Sequence, residues 1–140
     1  MAKKAEPKFK INPSLLGMMV NGEYCTFDEK RLDKVTFPKS FDGILTIPEG
    51  VTQIGKFVCA GILEITEVVF PETLRFFSSC AFENCTNLVR FNFPSSLILP
   101  IESNCFNGCT KLTSITVSSD QVEKAKKLLP EELHKFIEIK

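Results

Sequence analysis

The sequence predicts a repeat solenoid of the α/β type, in which a short array of coils shares one ladder of parallel strands. Pro48, Pro71 and Pro94 follow one another at spacings of 23 residues, and similar residues surround each of them. A fixed period of this kind is typical of stacked repeats. The chain has 140 residues, which is enough for one hydrophobic core and too few for two. We therefore expect a single domain, residues 1–140.

The same apolar frame recurs around each proline. Two alternate apolar residues precede the proline, and two more follow it. The three sets are Leu45, Ile47, Val51 and Ile54; Val68, Phe70, Leu74 and Phe77; and Phe91, Phe93, Leu97 and Ile101. The third set contains one extra residue, which a loop could absorb. This alternation predicts a short strand whose apolar side chains point inward and which ends at the proline.

A second run of apolar positions follows each frame. Its members are Cys59, Ile62 and Ile65 in the first copy, Phe82, Cys85 and Leu88 in the second, and Phe106, Cys109 and Leu112 in the third. We interpret this run as a return segment that packs behind the strand. One such unit cannot bury its apolar face alone, so about three stacked units are needed for stability. Residues 44–118 are expected to form these three repeats.

Residues 1–43 are expected to form an N-terminal tail and a β-hairpin cap. The turn signals are Asn21-Gly22 and Asp28-Glu29-Lys30-Arg31, which separate alternating apolar positions. This hairpin should cover the first coil.

Residues 119–140 are expected to form a helical cap. Asp120 is the predicted N-cap residue, with Glu123 three residues later and Pro130 as the stop. Val122, Ala125 and Leu129 have helical spacing. The final segment, KFIEIK, predicts a last strand.

The repeat resembles the BspA-type leucine-rich repeat, whose frame is I-P-x-x-V-x-x-I-G-x-x-A-F-x-x-C-x-x-L-x-x-I. The segments IPEGVTQIG, AFENCTNLVRFNFP and CFNGCTKLTSITV follow this frame over roughly residues 44–118. The resemblance implies a leucine-rich-repeat solenoid that binds other proteins. It also implies adhesion or binding of host components, as by surface proteins of bacteria and parasitic protists.

Charge and hydropathy argue against several classes of partner. The 17 basic and 17 acidic residues cancel, so no long-range field attracts nucleic acid or an anionic membrane. No apolar run approaches the roughly 20 residues needed to cross a bilayer. The basic N-terminus is not followed by the apolar stretch of a signal peptide. We expect a cytoplasmic protein unless an export signal has been removed. The sequence is equally consistent with an internal scaffold and with an adhesin.

The six cysteines raise three chemical alternatives. Cys80, Cys85, Cys105 and Cys109 could form a zinc site, although their spacings are looser than usual zinc knuckles. Cys85 and Cys109 could form a disulfide between neighbouring coils. A thiol enzyme would need a base, and the sole histidine, His134, lies near the C-terminus. We expect buried free thiols, with no catalytic residue, metal or cofactor.

The outward side of the strands is the predicted partner-binding surface. If the apolar residues of each strand point inward, their neighbours point out and align in columns along the stack. The candidates are Thr46, Thr66, Glu67, Val69, Val89, Arg90, Asn92, Thr113, Ser114 and Thr116. The predicted partner is a protein. The alternative is a structural unit that associates with itself through an end of the stack.

Overall fold

The computed structural model of the protein describes residues 25–26, 31–32, 41–47 and 49–140. Its strands, in chain order, are β1 Cys25–Thr26, β2 Arg31–Leu32, β3 Ile44–Thr46, β4 Gln53–Ile54, β5 Glu67–Val69, β6 Phe76–Phe77, β7 Arg90–Asn92, β8 Ser114–Val117 and β9 Ile137–Ile139. The helix α1 spans Val122–Leu128, and short 3-10 helices cover Ser103–Phe106, Ser119–Gln121 and Glu131–Phe136. Pro48 and the predicted turn residues at 21–22 and 28–30 lie outside the described residues.

Five strands form the main sheet, in the order β3-β5-β7-β8-β9. Every neighbouring pair is parallel, and Ile44, Glu67, Arg90 and Ser114 lie in one register. The parallel ladder predicted from the 23-residue spacing is therefore confirmed. We number the coils by the strand that opens them, so the first, second and third coils begin at β3, β5 and β7.

A second, four-stranded sheet runs along another side of the solenoid, in the order β1-β2-β4-β6, and we call it the minor sheet. The predicted N-terminal hairpin is present as the antiparallel pair β1 and β2. Strand β2 then pairs in parallel with β4, which places Leu32 in the column of Ile54 and Phe77. Arg31, predicted as a turn residue, belongs to β2. The sequence did not predict this sheet, because two-residue strands are too short to show an alternating pattern.

The apolar frame fills the space between the two sheets and the return segments. The fully buried side chains include Leu45, Val51, Ile54, Val68, Leu74, Leu88, Phe91, Leu97 and Ile115. Phe82 and Phe106 stack on successive coils, with ring centroids 5.5 Å apart and ring planes at 5°. Phe91 stacks on Phe106 at 4.4 Å. Aromatic pairs of this kind contribute about 0.5–1.5 kcal/mol beyond the burial of their area.

The C-terminal cap closes the far side of the core. Ala125 and Leu129 are buried as predicted, and β9 adds a parallel strand beside β8. The predicted N-cap at Asp120 is wrong, because residues 119–121 first form a 3-10 turn and Gln121 precedes the helix. The Gln121 N–H donates to the Ser118 carbonyl across that turn, at 2.8 Å. The helix ends at Leu128, before Pro130.

Candidate functional site

The main sheet presents an outward surface, which we call the strand face. Two of its columns are formed by the strand residues on either side of the buried central residue. A third column is formed by the residue that precedes each strand. The first column is Ile44, Glu67, Arg90 and Ser114; the second is Thr46, Val69, Asn92 and Thr116; the third is Thr66, Val89 and Thr113. Thr66, Val69, Arg90 and Thr113 are exposed, and Thr46, Glu67, Val89, Asn92 and Thr116 are half-buried. The structure therefore places nine of the ten predicted residues at least partly on the surface.

Ser114 is the exception, because only 5% of it is exposed. The prediction that it faces solvent is wrong. The C-terminal strand β9 lies beside β8, and the Ser114 hydroxyl donates a hydrogen bond to the Glu138 carboxylate. The alternation of β8 did place Ser114 outside the core, but the sequence did not show that Glu138 would cover it.

Asn92 also has a structural role that its sequence position did not show. Its Nδ2 donates to the Phe70 carbonyl at 3.0 Å, and its Oδ1 accepts from the Phe70 N–H at 2.6 Å. In the first coil the equivalent N–H, that of Ile47, bonds the backbone carbonyl of Val69 instead. The Asn92 amide thus takes the place of a backbone group in the ladder, and we call this arrangement the Asn92 clamp. Replacing Asn92 would therefore remove two hydrogen bonds from the ladder as well as a side chain from the strand face.

Ile44 belongs to the strand face but was missed in the sequence. It begins β3, is 41% exposed and lies in register with Glu67. Its alternation with the buried Leu45 was the signal that could have identified it. Ile44 and Val69 lie diagonally across β3 and β5, so the N-terminal half of the strand face is its more apolar part.

Hydrogen bonds hold the third column to the preceding coil. The Thr66 N–H donates to the Gly43 carbonyl at 2.8 Å, and its hydroxyl donates to the same oxygen at 3.2 Å. Gly43 has a φ of +97°, and a Cβ atom there would lie 2.6 Å from the Thr66 hydroxyl oxygen. This position of the first coil therefore requires glycine.

A groove of about 460 Å³ lies on the loops that connect the main sheet to the minor sheet. Its lining residues are Gly50, Thr52, Glu72, Thr73, Arg75, Ser96 and Ile98. Most of its polar groups already join neighbouring coils. The Thr73 hydroxyl accepts from the Gly50 N–H and donates to the Val51 carbonyl, and the Ser96 hydroxyl donates to the Leu74 carbonyl.

The cysteines of the return segments are built into the contacts between coils. The Cys85 thiol donates to the Cys59 carbonyl at 2.9 Å, and the Cys109 thiol donates to the Phe82 carbonyl at 3.2 Å. These are equivalent bonds one coil apart. Cys59, Cys80, Cys85, Cys105 and Cys109 are free thiols, so the alternative of a Cys85–Cys109 disulfide is not what the structure contains.

Burial keeps these thiols protonated. It raises the pKa of Cys105 and that of Cys109 to about 12, and it is the largest cause of the raised pKa of Cys85. A thiolate is the reactive form of cysteine, so these groups are poor nucleophiles at neutral pH. The described residues contain no group of three or more His, Cys, Asp or Glu side chains placed to hold a metal ion.

His134 does not face a cysteine. Its Nε2 lies 3.1 Å from the Leu129 carbonyl oxygen, where the ring helps to hold the turn that follows α1. The pair of thiol and imidazole that a cysteine enzyme needs is not assembled by these residues.

The stack of parallel strands with apolar return segments defines a leucine-rich-repeat protein. The family model "BspA type Leucine rich repeat region (6 copies)" matches residues 22–128, and the chain belongs to this family. The match begins before residue 44, in agreement with the place of β2 in the minor sheet. None of the curated proteins matches the chain.

A solved structure shares this fold. It is a leucine-rich repeat protein from Bacteroides ovatus ATCC 8483, with a TM-score of 0.55 and 24% sequence identity. The alignment covers 79% of this chain and 29% of that one, so the chain spans less than a third of its neighbour's length. Along the part of the chain that the structure describes, no helix is both long enough and apolar enough to cross a membrane.

Proposed function

We propose that the chain is a protein-interaction module whose partner binds the strand face. The observation that carries this proposal is the register of the main sheet, which gathers exposed side chains from three coils on one surface. Ile44, Val69 and Arg90 are exposed there. Repeat proteins commonly bind partners on such aligned columns.

The composition of the strand face suits a mixed apolar and charged contact. Ile44 and Val69 offer apolar area, and Arg90 offers a guanidinium group that can bind a carboxylate through two hydrogen bonds. Arginine is also among the residues that contribute most to protein interfaces. Glu67, which is half-buried, lies beside Arg90 in the ladder, so the first column places an acidic and a basic side chain next to each other.

The experiment that tests this proposal places a photo-activated cross-linking residue at Val69 or, as a control, at Leu63. Both side chains are exposed, at 36% and 55%, but Leu63 lies on a return segment. Partner proteins of the source cells should cross-link through Val69 and not through Leu63. An Arg90→Glu change should then weaken the Val69 adduct and leave the melting curve unchanged. Equal cross-linking at both positions would contradict the proposal.

Self-association through the end of the stack is a second candidate. The specific observation is Ile139 on the outermost strand β9, which is 61% exposed. Edge strands with exposed apolar side chains pair readily with other strands. Light scattering after size exclusion should then show a dimer that Ile139→Lys converts to a monomer, whereas a concentration-independent monomer would remove this candidate.

Adhesion to host components is the particular use that the family implies, and it requires export of the chain. We also infer that the module binds and does not catalyse. The support for this inference is the protonated state of the buried thiols and the engagement of His134 by the Leu129 carbonyl.

A further inference from the structure

The chain contains a sequence that can accept a glycan, at the corner of the second coil. Of its seven asparagines, Asn84 alone is followed by the pattern x-Ser/Thr in which x is not proline. The pattern is Asn84-Cys85-Thr86, whereas Asn12 is followed by Pro13. Asn-x-Ser/Thr is the acceptor pattern for N-linked glycosylation and is used on surface loops. Because the pattern is short, the structure around Asn84 decides whether it can accept a glycan.

The structure places Asn84 where an attached glycan can be accommodated. Asn84 is exposed in the turn between β6 and β7, and Cys85, the middle residue of the pattern, points into the core. Within the described residues the Asn84 side chain makes no hydrogen bond, so its amide nitrogen is not needed by the fold. Asn87, three residues later, differs, because its Nδ2 donates to the Leu63 carbonyl at 2.9 Å.

The neighbouring coils show why the backbone here accepts asparagine. Asn84 has a φ of +62°, and the equivalent residues of the first and third coils are Gly61 and Gly108, with φ of +74° and +85°. A Cβ atom at Gly108 would lie 2.1 Å from Asn84 Oδ1, so the amide oxygen rests over the glycine of the next coil. After glycine, asparagine is among the residues that adopt this left-handed conformation most readily. Backbone conformation thus explains an asparagine at position 84, and the third coil also has a threonine after its cysteine, at Thr110. Among the three coils, the second is the one in which the asparagine and the threonine of the pattern occur together.

We propose that Asn84 is the acceptor of an N-linked glycan when the chain enters a compartment that contains an oligosaccharyl transferase. Asn84 Nδ2 forms a bond to C1 of the first sugar of a lipid-linked oligosaccharide diphosphate. The bond between C1 and the phosphate oxygen breaks, the lipid diphosphate leaves with the electron pair, and the transferase takes the amide proton. The glycan projects from a return segment, so it leaves the strand face open.

The reduced thiols of the core are compatible with this route. Cys85, inside the acceptor pattern, is buried, and burial raises its pKa, which keeps it protonated. Since disulfide exchange proceeds through the thiolate, the Cys85 thiol of the folded chain is a poor participant in exchange in an oxidising compartment.

The test is translation of the full chain, behind an added cleavable export leader, in the presence of microsomes. The expected result is a gain of one glycan's mass that peptide N-glycosidase removes. Thr86→Val and Asn84→Gly should each abolish the gain, and Asn84→Gly should also keep the fold because glycine occupies this position in both neighbouring coils. Asn104→Gln, at an exposed asparagine outside any acceptor pattern, should retain it.

Two results would overturn the proposal: no gain of mass in the translocated chain, or a gain that persists in Thr86→Val. The readout is independent of partner binding, so its failure leaves the proposed interaction function untouched.

Discussion

The two sheets of the solenoid differ in how far they continue along the stack. The main sheet runs through every coil from β3 to β9, whereas the minor sheet ends at β6. The third coil has the extra residue of the LILPI segment and a proline, Pro100, which has no N–H to donate. Where the minor sheet would continue, Ile98 and Leu99 are exposed at 57% and 49%, and the chain returns to the core at Ile101. An insertion in a repeat therefore interrupts the side on which it falls and leaves the opposite ladder in register.

The core shared by both sheets should be the most sensitive part of the molecule. Phe82 is fully buried and contacts the rings of Phe70, Phe77 and Phe106. Phe82→Ala should cost about 3–5 kcal/mol, which approaches the whole stability of a small domain. Chemical denaturation followed by circular dichroism measures this loss. Leu63→Ala, at an exposed position, is the control and should change stability by less than about 0.5 kcal/mol. A loss under about 1 kcal/mol at Phe82 would show that the alignment of the coils is wrong.

The Asn92 clamp should be the next most important feature, because it lies within the regular sheet. Asn92→Ala would leave the N–H and carbonyl of Phe70 without their partner, and we expect a loss of roughly 2 kcal/mol. Asn87→Ala is the matched control, since the hydrogen bond of Asn87 to Leu63 is exposed and should contribute about 0.5 kcal/mol. Urea denaturation of both variants gives the comparison. Equal losses would mean that the clamp adds nothing to an ordinary surface bond.

The thiols of Cys105, which is buried, and Cys109, which is half-buried, predict a loss of stability in alkali. The pKa of Cys105 and that of Cys109 are raised from 9.0 to about 12 in the folded chain. Below pH 9 the two thiols stay protonated in both the folded and the unfolded chain. Their burial then contributes fully to the free energy of unfolding. As the pH rises from 9 to 12 the unfolded thiols ionise first, so stability should fall through this window. The urea midpoint measured against pH should fall less steeply in the double variant Cys105→Ala and Cys109→Ala. Parallel curves would show that the thiols of Cys105 and Cys109 are not the cause.

The interrupted side should be the least sensitive part. Leu99→Ala should change stability by less than about 0.5 kcal/mol because the side chain is largely exposed. Ile101→Ala, two residues later, should cost about 2–4 kcal/mol because Ile101 is 3% exposed. Thermal denaturation of the Leu99→Ala and Ile101→Ala variants locates the extra residue of the third coil. A large loss at Leu99 and a small one at Ile101 would place the extra residue elsewhere in the loop.

The sequence predicted the inward positions well because they repeat. Leu45, Val68 and Phe91 occupy the same register and are all buried, and the stack of Phe82 on Phe106 followed from aligning two return segments. Because each position of the repeat occurs in several coils, a single unusual residue does not hide the pattern.

The sequence did not predict features that depend on one residue or on distant parts of the chain. The burial of Ser114 depends on Glu138, which lies 24 residues later on β9. The Asn92 clamp depends on a side chain that enters the ladder in one coil only. Asp120 resembles an N-cap, but the turn after β8 delays the start of the helix to Val122. The use of the strand face for binding is still a proposal.

Hydrogen exchange of two amides in the third coil tests most directly whether one side of the stack is regular and the other interrupted. The Phe93 N–H lies in the main sheet and donates to the Thr116 carbonyl at 2.9 Å. The Leu99 N–H makes no hydrogen bond within the described part of the chain. We expect Phe93 to exchange only when the core opens, and Leu99 to exchange close to the rate of an unfolded peptide. Protection of Leu99 equal to that of Phe93 would show that the minor sheet continues through the third coil and would contradict this account.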